Sequence, residues 1–286
     1  MSVVQPPPAV LHEENNMKAI RRFKSCQHSL LPAILLVATT LLAAAPVRGE
    51  QPPVSEEEIE KVEAAMPARA TAVPARARKV LVFSRCEGYY HEVIPLATQA
   101  FRIMGEKTGA FEAVMSRDMA VFSPETLRSF DAILFNNTTH LKFDAPVQRQ
   151  ALLDFVRGGK GIIGIHAASD NFYDWPEAAE MMGGLFDGHP WTAEGTWAVK
   201  IDEPEHPLNR AFGGKGFLIR DEIYQMKAPY SRDTLRVLLS LDMTNARNLQ
   251  VTGIKREDQD HAISWIRRFG QGRVFYCSLG HNREIF

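Results

Sequence analysis

Short apolar runs alternate with longer amphipathic stretches over residues 79–166. The runs are rich in Val and Ile and predict strands that are buried on both faces: KVLVFS, FEAVMS, DAILFNN and GIIGIH. Between them, apolar residues recur every third or fourth position. This spacing predicts helices over EVIPLATQAFRIMGEKTG and DAPVQRQALLDFVRGGK, the second one capped by Asp144. Strands that alternate with helices in this way indicate a parallel sheet with helices on both faces.

The pattern changes after Asp170. DWPEAAEMMGGLF predicts one more helix, and several strand-like runs follow without long helices between them: TWAVKID, GFLIRDEIYQM, LRVLLSLD, HAISWIRRF and RVFYCSL. Some of these strands are expected to join the sheet in the antiparallel direction. The expected fold of residues 78–286 is therefore α/β, with a mostly parallel sheet, helices on both faces and added antiparallel strands.

Residues 1–49 have the pattern of a signal peptide. A basic region at residues 18–24 precedes an apolar stretch at residues 30–47, and small residues follow it. The stretch contains Pro32 and is short for a membrane span. Cleavage and export to the periplasm or the medium are expected, with an uncleaved membrane anchor as the alternative. Met17 stands just before the basic region, so the residues before it are a candidate extension upstream of the true start.

Residues 50–77 are expected to form a linker. Within it, Ser55 and Glu58 have the spacing of a capping box, which predicts a short exposed helix. The chain ends at Phe286, directly after the last predicted strand. A further helix normally covers a parallel sheet at that point, so the domain at residues 78–286 is expected to lack its C-terminal helix.

Composition and motifs exclude several classes of function. The 286 residues include 33 Lys and Arg and 34 Asp and Glu, and no basic run is long enough to predict a nucleic-acid partner. The chain has no G-x-S-x-G elbow and no phosphate-binding loop, which excludes a hydrolase-type serine site and a P-loop nucleotide site. Beyond the leader, Cys86 and Cys277 are expected to be separate, partly buried thiols.

Histidines follow four of the predicted strands. They are His91, His140, His166 and His281. Ligands bind at the carboxyl ends of the strands in open parallel sheets, and imidazole both transfers protons near neutral pH and binds metals. The clustering favours functional roles for His91, His166 and His281. His140 is expected at the surface.

Other side chains have two open interpretations. Asp221 and Glu222 interrupt the apolar run GFLIRDEIYQM, so they either face solvent or serve a site. His189 lies in the loop DGHPW and is a candidate metal ligand or part of a simple turn. Dispersed histidines can form a zinc site, because a catalytic site needs only three protein ligands. A set of aromatic residues could line a sugar platform or the core: Trp175, Trp191, Trp197 and Tyr224.

Several segments together resemble the trehalose-utilisation (ThuA-like) family. They are KVLVFSRCEGYYHEVIP, GKGIIGIHAASDNFYDWPEAAEMMGGLFDGHPW, EPEHPL, DEIY and GRVFYCSLGH, in order over residues 78–286. The resemblance implies a flavodoxin-like sheet of the class I glutamine amidotransferase-like superfamily. At the turn where amidotransferases carry a cysteine this chain has His166, and the histidine after their late strand is similar to His281. The resemblance thus implies a retained pocket without its nucleophile, and not a functional glutamine amidotransferase.

The family name implies a role in disaccharide catabolism, with 3-keto sugars as intermediates. The expected function is therefore action on a sugar or keto-sugar derivative by His-based acid/base or metal-assisted chemistry, as a hydrolase, lyase or isomerase. The alternative is a non-catalytic carbohydrate- or metal-binding module of an exported assembly. The expected partner is a small-molecule carbohydrate, and the sequence does not predict an oligomeric state.

The expected site has three sets of residues. The catalytic set is His166, His281, Asp221 and Glu222. The substrate-binding set is His91, Tyr90, Asn136, Asn137 and Asp170. A divalent metal such as zinc would be bound by His91, His166, His189 and His281.

Overall fold

The computed structural model describes residues 53–286, so the expected signal peptide lies outside the described residues. The strands are β1 (Lys79–Phe83), β2 (Glu112–Ser116), β3 (Ala132–Asn136), β4 (Gly161–Ile165), β5 (Leu185–Phe186), β6 (Thr196–Ile201), β7 (Phe217–Arg220), β8 (Met226–Lys227), β9 (Arg236–Leu241), β10 (Ala262–Phe269) and β11 (Gly272–Cys277). The helices are α1 (Glu56–Ala65), α2 (Ile94–Thr108), α3 (Pro124–Leu127), α4 (Pro146–Arg157), α5 (Pro176–Met182) and α6 (Ala246–Leu249).

Nine of these strands form one mixed sheet in the order β2-β1-β3-β4-β11-β10-β9-β6-β7. The five strands β2, β1, β3, β4 and β11 are parallel to one another. Strands β10, β9, β6 and β7 continue the sheet in antiparallel steps, and β5 pairs with β8 in a separate ribbon. The predicted α/β class with added antiparallel strands is confirmed.

Helices cover both faces of the parallel half because alternate strand residues point to opposite faces. On one face, Val80 and Val82 pack with Ala97 and Phe101 of α2. The other face packs against α4 and α5 in the largest core cluster, which includes Leu152. Two layers of helices around one sheet place the carboxyl ends of the parallel strands at one edge, where the loops are free to build a site.

Helix ends follow the predicted signals with one exception. Gly109 ends α2 in the left-handed conformation with φ 64°, as its position predicts. The predicted cap of α4 is wrong: the N-cap is Ala145, and Asp144 precedes it. Pro146 occupies the first turn, where its fixed φ and missing N–H are compatible with a helix start, and this moves the cap one residue beyond Asp144.

Helix α1 forms with its predicted capping box, in which Ser55 and Glu58 each bond the other's backbone N–H. The helix is not exposed throughout, because Val62 is only 1% accessible and packs in a cluster with Ala100 of α2. Arg283 donates to the Glu58 carboxylate at 2.6 Å. The segment before β1 is therefore packed against the sheet domain.

The predicted strand GFLIRDEIYQM is broken in the structure. Strand β7 ends at Arg220 and β8 begins at Met226, so Asp221 and Glu222 lie in the segment between two strands. Cys86 and Cys277 are not bonded to each other, as expected. Within residues 53–286, no helix is both long and apolar enough to cross a bilayer.

Candidate functional site

The turn after β4 holds His166 in an uncommon backbone conformation. His166 opens a 3₁₀ turn, His166–Ser169, with φ 47°, a region that costs a non-glycine residue about 1 kcal/mol or more. The Tyr276 hydroxyl lies 2.7 Å from the His166 carbonyl and donates to it. The same hydroxyl contacts Ser169 Oγ at 2.9 Å. Tyr276, a fully buried core residue, thus holds the turn in place.

The hydrogen bond to Ser278 decides which nitrogen of His166 is available. Nδ1 of His166 lies 2.6 Å from the carbonyl oxygen of Ser278. A carbonyl can only accept, so Nδ1 carries a hydrogen, and in the neutral ring Nε2 keeps its lone pair. The ring is fully buried. His166 therefore directs Nε2, the nitrogen that does not contact Ser278, toward its neighbours His281 and Glu222.

Three ligand atoms form a nearly equilateral triangle. His166 Nε2 lies 3.3 Å from His281 Nδ1 and 3.6 Å from Glu222 Oε1, and the third side, His281 Nδ1 to Glu222 Oε1, is 3.4 Å. Ligand atoms about 2.1 Å from a tetrahedral ion lie about 3.4 Å from one another. The triangle therefore has the dimensions of one face of a tetrahedral metal site.

His91 provides a fourth donor beside this triangle. Its ring centre lies 4.9 Å from that of His166 and 5.1 Å from that of His281. One ligand atom from each of His91, His166, Glu222 and His281 falls within 4.8 Å of all the others. Nδ1 of His91 is buried and has no hydrogen-bond partner within residues 53–286. The structure thus combines three of the expected metal ligands with Glu222, and not with His189.

The electrostatics of the group favour a positive charge beside the ionised Glu222 carboxylate. Burial alone would raise the pKa of Glu222, but hydrogen bonds and charge from His166 and His281 hold that pKa well below its usual range. Burial likewise opposes protonation of His281, yet Glu222 raises the pKa of His281 above its ordinary value. Burial, together with the neighbouring histidines, lowers the pKa of His91 to about 2, so its ring is neutral.

Asp221 contacts the backbone of the loop that carries His281 and is not among the residues that line the cavity described below. Its carboxylate is buried and accepts backbone N–H groups from Gly280 at 2.6 Å, Asn282 at 2.8 Å and His281 at 3.1 Å. Burial, the largest influence, raises the pKa of Asp221 even though these donors oppose the rise. Asp221 therefore anchors the backbone of the loop that carries His281.

A cavity of about 560 Å³ opens beside the four-residue group. His189 lies at its mouth with a side chain that is 48% exposed, and its Nδ1 is 3.2 Å from Glu222 Oε2. The residues that line the cavity include both expected and unexpected ones: Tyr89, His91, Asp170, Phe186, His189, Thr192, Ala193, Glu194, Glu222, Tyr224 and His281. The volume is within the usual range of small-molecule sites.

Three of the expected substrate-binding residues lie elsewhere. Asn136 is buried, and its amide lies within hydrogen-bonding distance of the Ser84 and Thr98 side chains. Asn137 is also buried, with φ 52°, and donates to the Gly280 carbonyl. Tyr90 lines a separate cavity with Arg117 over its ring. The structure therefore places Asn136 and Asn137 as supports of the strand ends.

The aromatic residues divide between the core and the cavity. Trp175, Trp191 and Trp197 are buried in the core clusters, whereas Tyr224 lines the cavity. Tyr89 lies at the mouth, 65% exposed, and its ring makes an edge contact with His91. Tyr89 follows the β1 exit directly before Tyr90, so strand-end position alone could have suggested either one.

A larger groove of about 670 Å³ lies at the other end of the strands, beside Ala132, Gly161 and Arg273 near the starts of β3, β4 and β11. Apolar and Arg side chains dominate its lining, and among the described residues it includes no His, Asp or Glu. A groove without such groups has no side chain that could transfer a proton near neutral pH. The smaller cavity with its four donors is therefore the better candidate site.

Comparisons with known proteins agree with this arrangement at the level of the fold. A ThuA-like protein from Bacteroides uniformis is 24% identical, with 75% of this chain and 87% of that chain covered and a TM-score of 0.59. A ThuA-like protein from Parabacteroides merdae is 17% identical, with 72% and 80% covered and a TM-score of 0.54. No curated protein matches the chain. Structural likeness at these identities shows a shared fold and does not assign a reaction.

A family model gives the more specific result. The ThuA model, described as trehalose utilisation, matches residues 79–286, well over half of the chain. The matched range includes every residue of the four-donor group and the whole lining of the cavity. The protein belongs to the trehalose utilisation (ThuA) family.

Proposed function

We propose that the protein is an enzyme that acts on a sugar or keto-sugar derivative, with a divalent metal ion such as zinc held by His91, His166, His281 and Glu222. The triangle of His166 Nε2, His281 Nδ1 and Glu222 Oε1, with sides of 3.3 to 3.6 Å, carries the proposal. Imidazole nitrogens and carboxylate oxygens are both usual zinc ligands, and three of them are enough for a catalytic site that keeps a position open.

The residues fit a cation in three further ways. His91 is neutral, and the neutral form of His166 has its lone pair on Nε2, which is the form of imidazole that binds a metal. The Ser278 carbonyl accepts from Nδ1 of His166 and so holds the ring with Nε2 toward the site. The negative charge of Glu222 raises the pKa of His281, and the same charge would stabilise a cation bound to these atoms. The group is therefore preorganised for positive charge.

A divalent cation supplies Lewis acidity toward a carbonyl oxygen and lowers the pKa of a bound water. The chain's own residues build the surroundings of that chemistry. Tyr224, with its ring centre 4.4 Å from that of His166, closes the inner wall and limits access of water. Asp170 and His189 line the opening and can accept hydrogen bonds from sugar hydroxyls. Glu222 Oε2, at 3.2 Å from His189, holds that ring at the mouth.

A carbohydrate substrate is supported by the family and by the cavity. The family model is described as trehalose utilisation. The rings of Tyr89, Phe186 and Tyr224 offer apolar faces to the C–H groups of a sugar ring, beside several polar groups that can orient it. A keto group acidifies the neighbouring C–H bond, so a base at this site could drive elimination, isomerisation or hydrolysis.

Metal content provides the first test. The purified full-length protein is dialysed with zinc, freed of excess metal and analysed by elemental mass spectrometry. We expect about one zinc per chain, and far less in the variants His166→Ala and Glu222→Gln. His140→Ala is the matched control, since His140 lies outside the four-donor group and its side chain is 54% exposed. Equal zinc in all four proteins would contradict the metal site.

Turnover provides the second test. Trehalose, other disaccharides and their 3-keto forms are incubated with the zinc-loaded protein, and products are followed by mass spectrometry. Turnover of at least one sugar that His166→Ala abolishes, with the fold intact by circular dichroism, supports the enzyme. Binding of sugars without any turnover would instead identify a carbohydrate- or metal-binding module.

We also propose that the protein is exported, on the strength of the leader pattern at residues 1–49. Substrates would then be met outside the cytoplasm, in the periplasm or the medium. Processing of the leader tests this part independently of the reaction.

A further inference from the structure

We propose that the cavity selects uncharged sugar derivatives over phosphorylated or carboxylated ones, and that Glu194 together with Asp170 makes this selection. The inference rests on the proposed function and adds a substrate class to it. It depends on the charges that line the opening rather than on the four donor residues themselves.

The first observation is the charge of the lining. Asp170, Glu194 and Glu222 contribute three carboxylates, and among the described residues that line the cavity none is Lys or Arg. Sites that bind phosphates or carboxylates normally present Arg or Lys to them. A divalent cation in the four-donor group would leave one net positive charge at the inner end together with Glu222, so Asp170 and Glu194 are the negative charges that an entering ligand meets at the opening.

The second observation concerns the partners of the two outer carboxylates. A hydrogen bond from its own backbone, and a further one from Thr192, lower the pKa of Glu194. Tyr173 donates its hydroxyl to Asp170, and His140 Nε2 lies 3.3 Å from the same carboxylate. These neighbours hold Asp170 in place, and Glu194 lines the same cavity together with Thr192 and Ala193.

The third observation concerns basic side chains around the cavity, three of which are engaged elsewhere. Lys255 pairs with Asp187 at 2.8 Å, and Lys227 lies 4.8 Å above the Tyr173 ring. Arg283 donates to Glu58 and to the Glu92 carbonyl. Arg220 is near enough to contribute to the lowered pKa of Glu194, but it is not part of the lining. An anionic substituent in the cavity would therefore meet carboxylates without a fixed cationic side chain.

The size of the effect follows from Coulomb's law. Two like charges about 6 Å apart at a protein surface repel enough to weaken binding about tenfold, and added salt reduces this repulsion. Hydroxyl groups, in contrast, donate hydrogen bonds to the same carboxylates. The cavity should thus bind the neutral member of a matched sugar pair more tightly, with a difference that shrinks in high salt.

Calorimetry with matched probes tests the inference. The zinc-loaded full-length protein is titrated with trehalose and trehalose 6-phosphate, and with glucose and glucose 6-phosphate, at low and high sodium chloride. We expect each neutral sugar to bind about tenfold more tightly at low salt, and less so at high salt. Glu194→Gln should reduce the ratio at least threefold. Glu205→Gln, an exposed glutamate outside the cavity, is the matched control and should leave the ratio unchanged.

Each other result has a defined meaning. Equal or tighter binding of the phosphorylated sugars, with zinc content still dependent on His166, overturns charge selection and leaves the proposed function standing. An unchanged ratio in Glu194→Gln overturns the assignment of the selection to Glu194. Binding of none of the four sugars overturns the charge selection and the carbohydrate function together, while the zinc measurement separately decides the metal site.

Discussion

Replacement of Asp221 by Asn separates an anchoring role from a catalytic one. In the structure the carboxylate accepts three consecutive backbone N–H groups, from Gly280, His281 and Asn282, and it is fully buried. An Asn side chain has nearly the same shape but only one acceptor oxygen. If that oxygen keeps the bonds to His281 and Asn282, the amide NH₂ must face the N–H of Gly280, donor against donor.

The cost can be worked from these bonds. Hydrogen bonds to a charged group contribute about 1.5–3 kcal/mol each, and a buried donor without a partner costs about 1–3 kcal/mol. Two bonds would lose their charged acceptor and the third donor would have no acceptor. Together these losses should lower the free energy of unfolding by about 3–5 kcal/mol. For a domain of this size that corresponds to a melting temperature lower by about 10 °C. Displacement of the His281 backbone should also weaken zinc binding by about 10- to 100-fold.

The assay combines urea unfolding and zinc titration at pH 8, a pH that favours the ionised carboxylate. Asp233→Asn is the control, because Asp233 is exposed, and we expect it to stay within about 0.5 kcal/mol of the wild type. The reasoning is refuted if Asp221→Asn unfolds like the wild type and binds zinc normally while turnover is lost. Asp221 would then act on the substrate, as the sequence alone suggested.

Three further predictions concern stability and processing. His261 is buried beside Trp191 without partners for its ring nitrogens among residues 53–286, and burial lowers its pKa from 6.5 to about 4. The unfolded chain binds this proton first, so stability should fall by up to about 3 kcal/mol as the pH falls from 6.5 to 4. Urea unfolding at both pH values should show a smaller loss of stability in His261→Phe than in the wild type. An equal loss in the two proteins would contradict the role of His261. Gly164→Ala would place a Cβ 2.9 Å from Met182 Sδ and 3.0 Å from the Tyr276 ring, so thermal unfolding should show a loss of about 1–3 kcal/mol, and unaltered melting would argue against this packing. N-terminal sequencing of the exported protein should find a mature start near residue 50, and an intact leader in the membrane fraction would instead indicate an anchor.

Most helices and strands could be predicted because they depend on local pattern. Strand β4 and helix α2 have boundaries set by apolar spacing and by glycine, and they form close to where the pattern predicts them. The run GFLIRDEIYQM was misjudged because its apolar residues belong to two strands of different sheets, β7 and β8. In the sequence alone, apolar residues on the two sides of such a break have the pattern of one continuous strand.

The candidate site was predictable in part, by the rule that ligands bind at strand ends. His166 and His281 follow two adjacent parallel strands, β4 and β11, so the topology brings them together. The same rule suggested Asn136 and Tyr90, which lie elsewhere. Strand-end position predicts the edge of the sheet on which a residue lies, but successive residues point in different directions, and one step along the chain separates Tyr89 at the cavity from Tyr90.

The amino-acid sequence by itself determined the order of strands and helices, the family resemblance and the histidines worth testing. Only the tertiary structure decided the roles of Asp221 and Glu222, which are adjacent in the chain. Glu222 joins His166 and His281 as a candidate ligand, while Asp221 anchors the backbone of Gly280 and its neighbours. These contacts join residues about 60 and more positions apart, and only the packing of the sheet and its loops brings such residues within hydrogen-bonding distance.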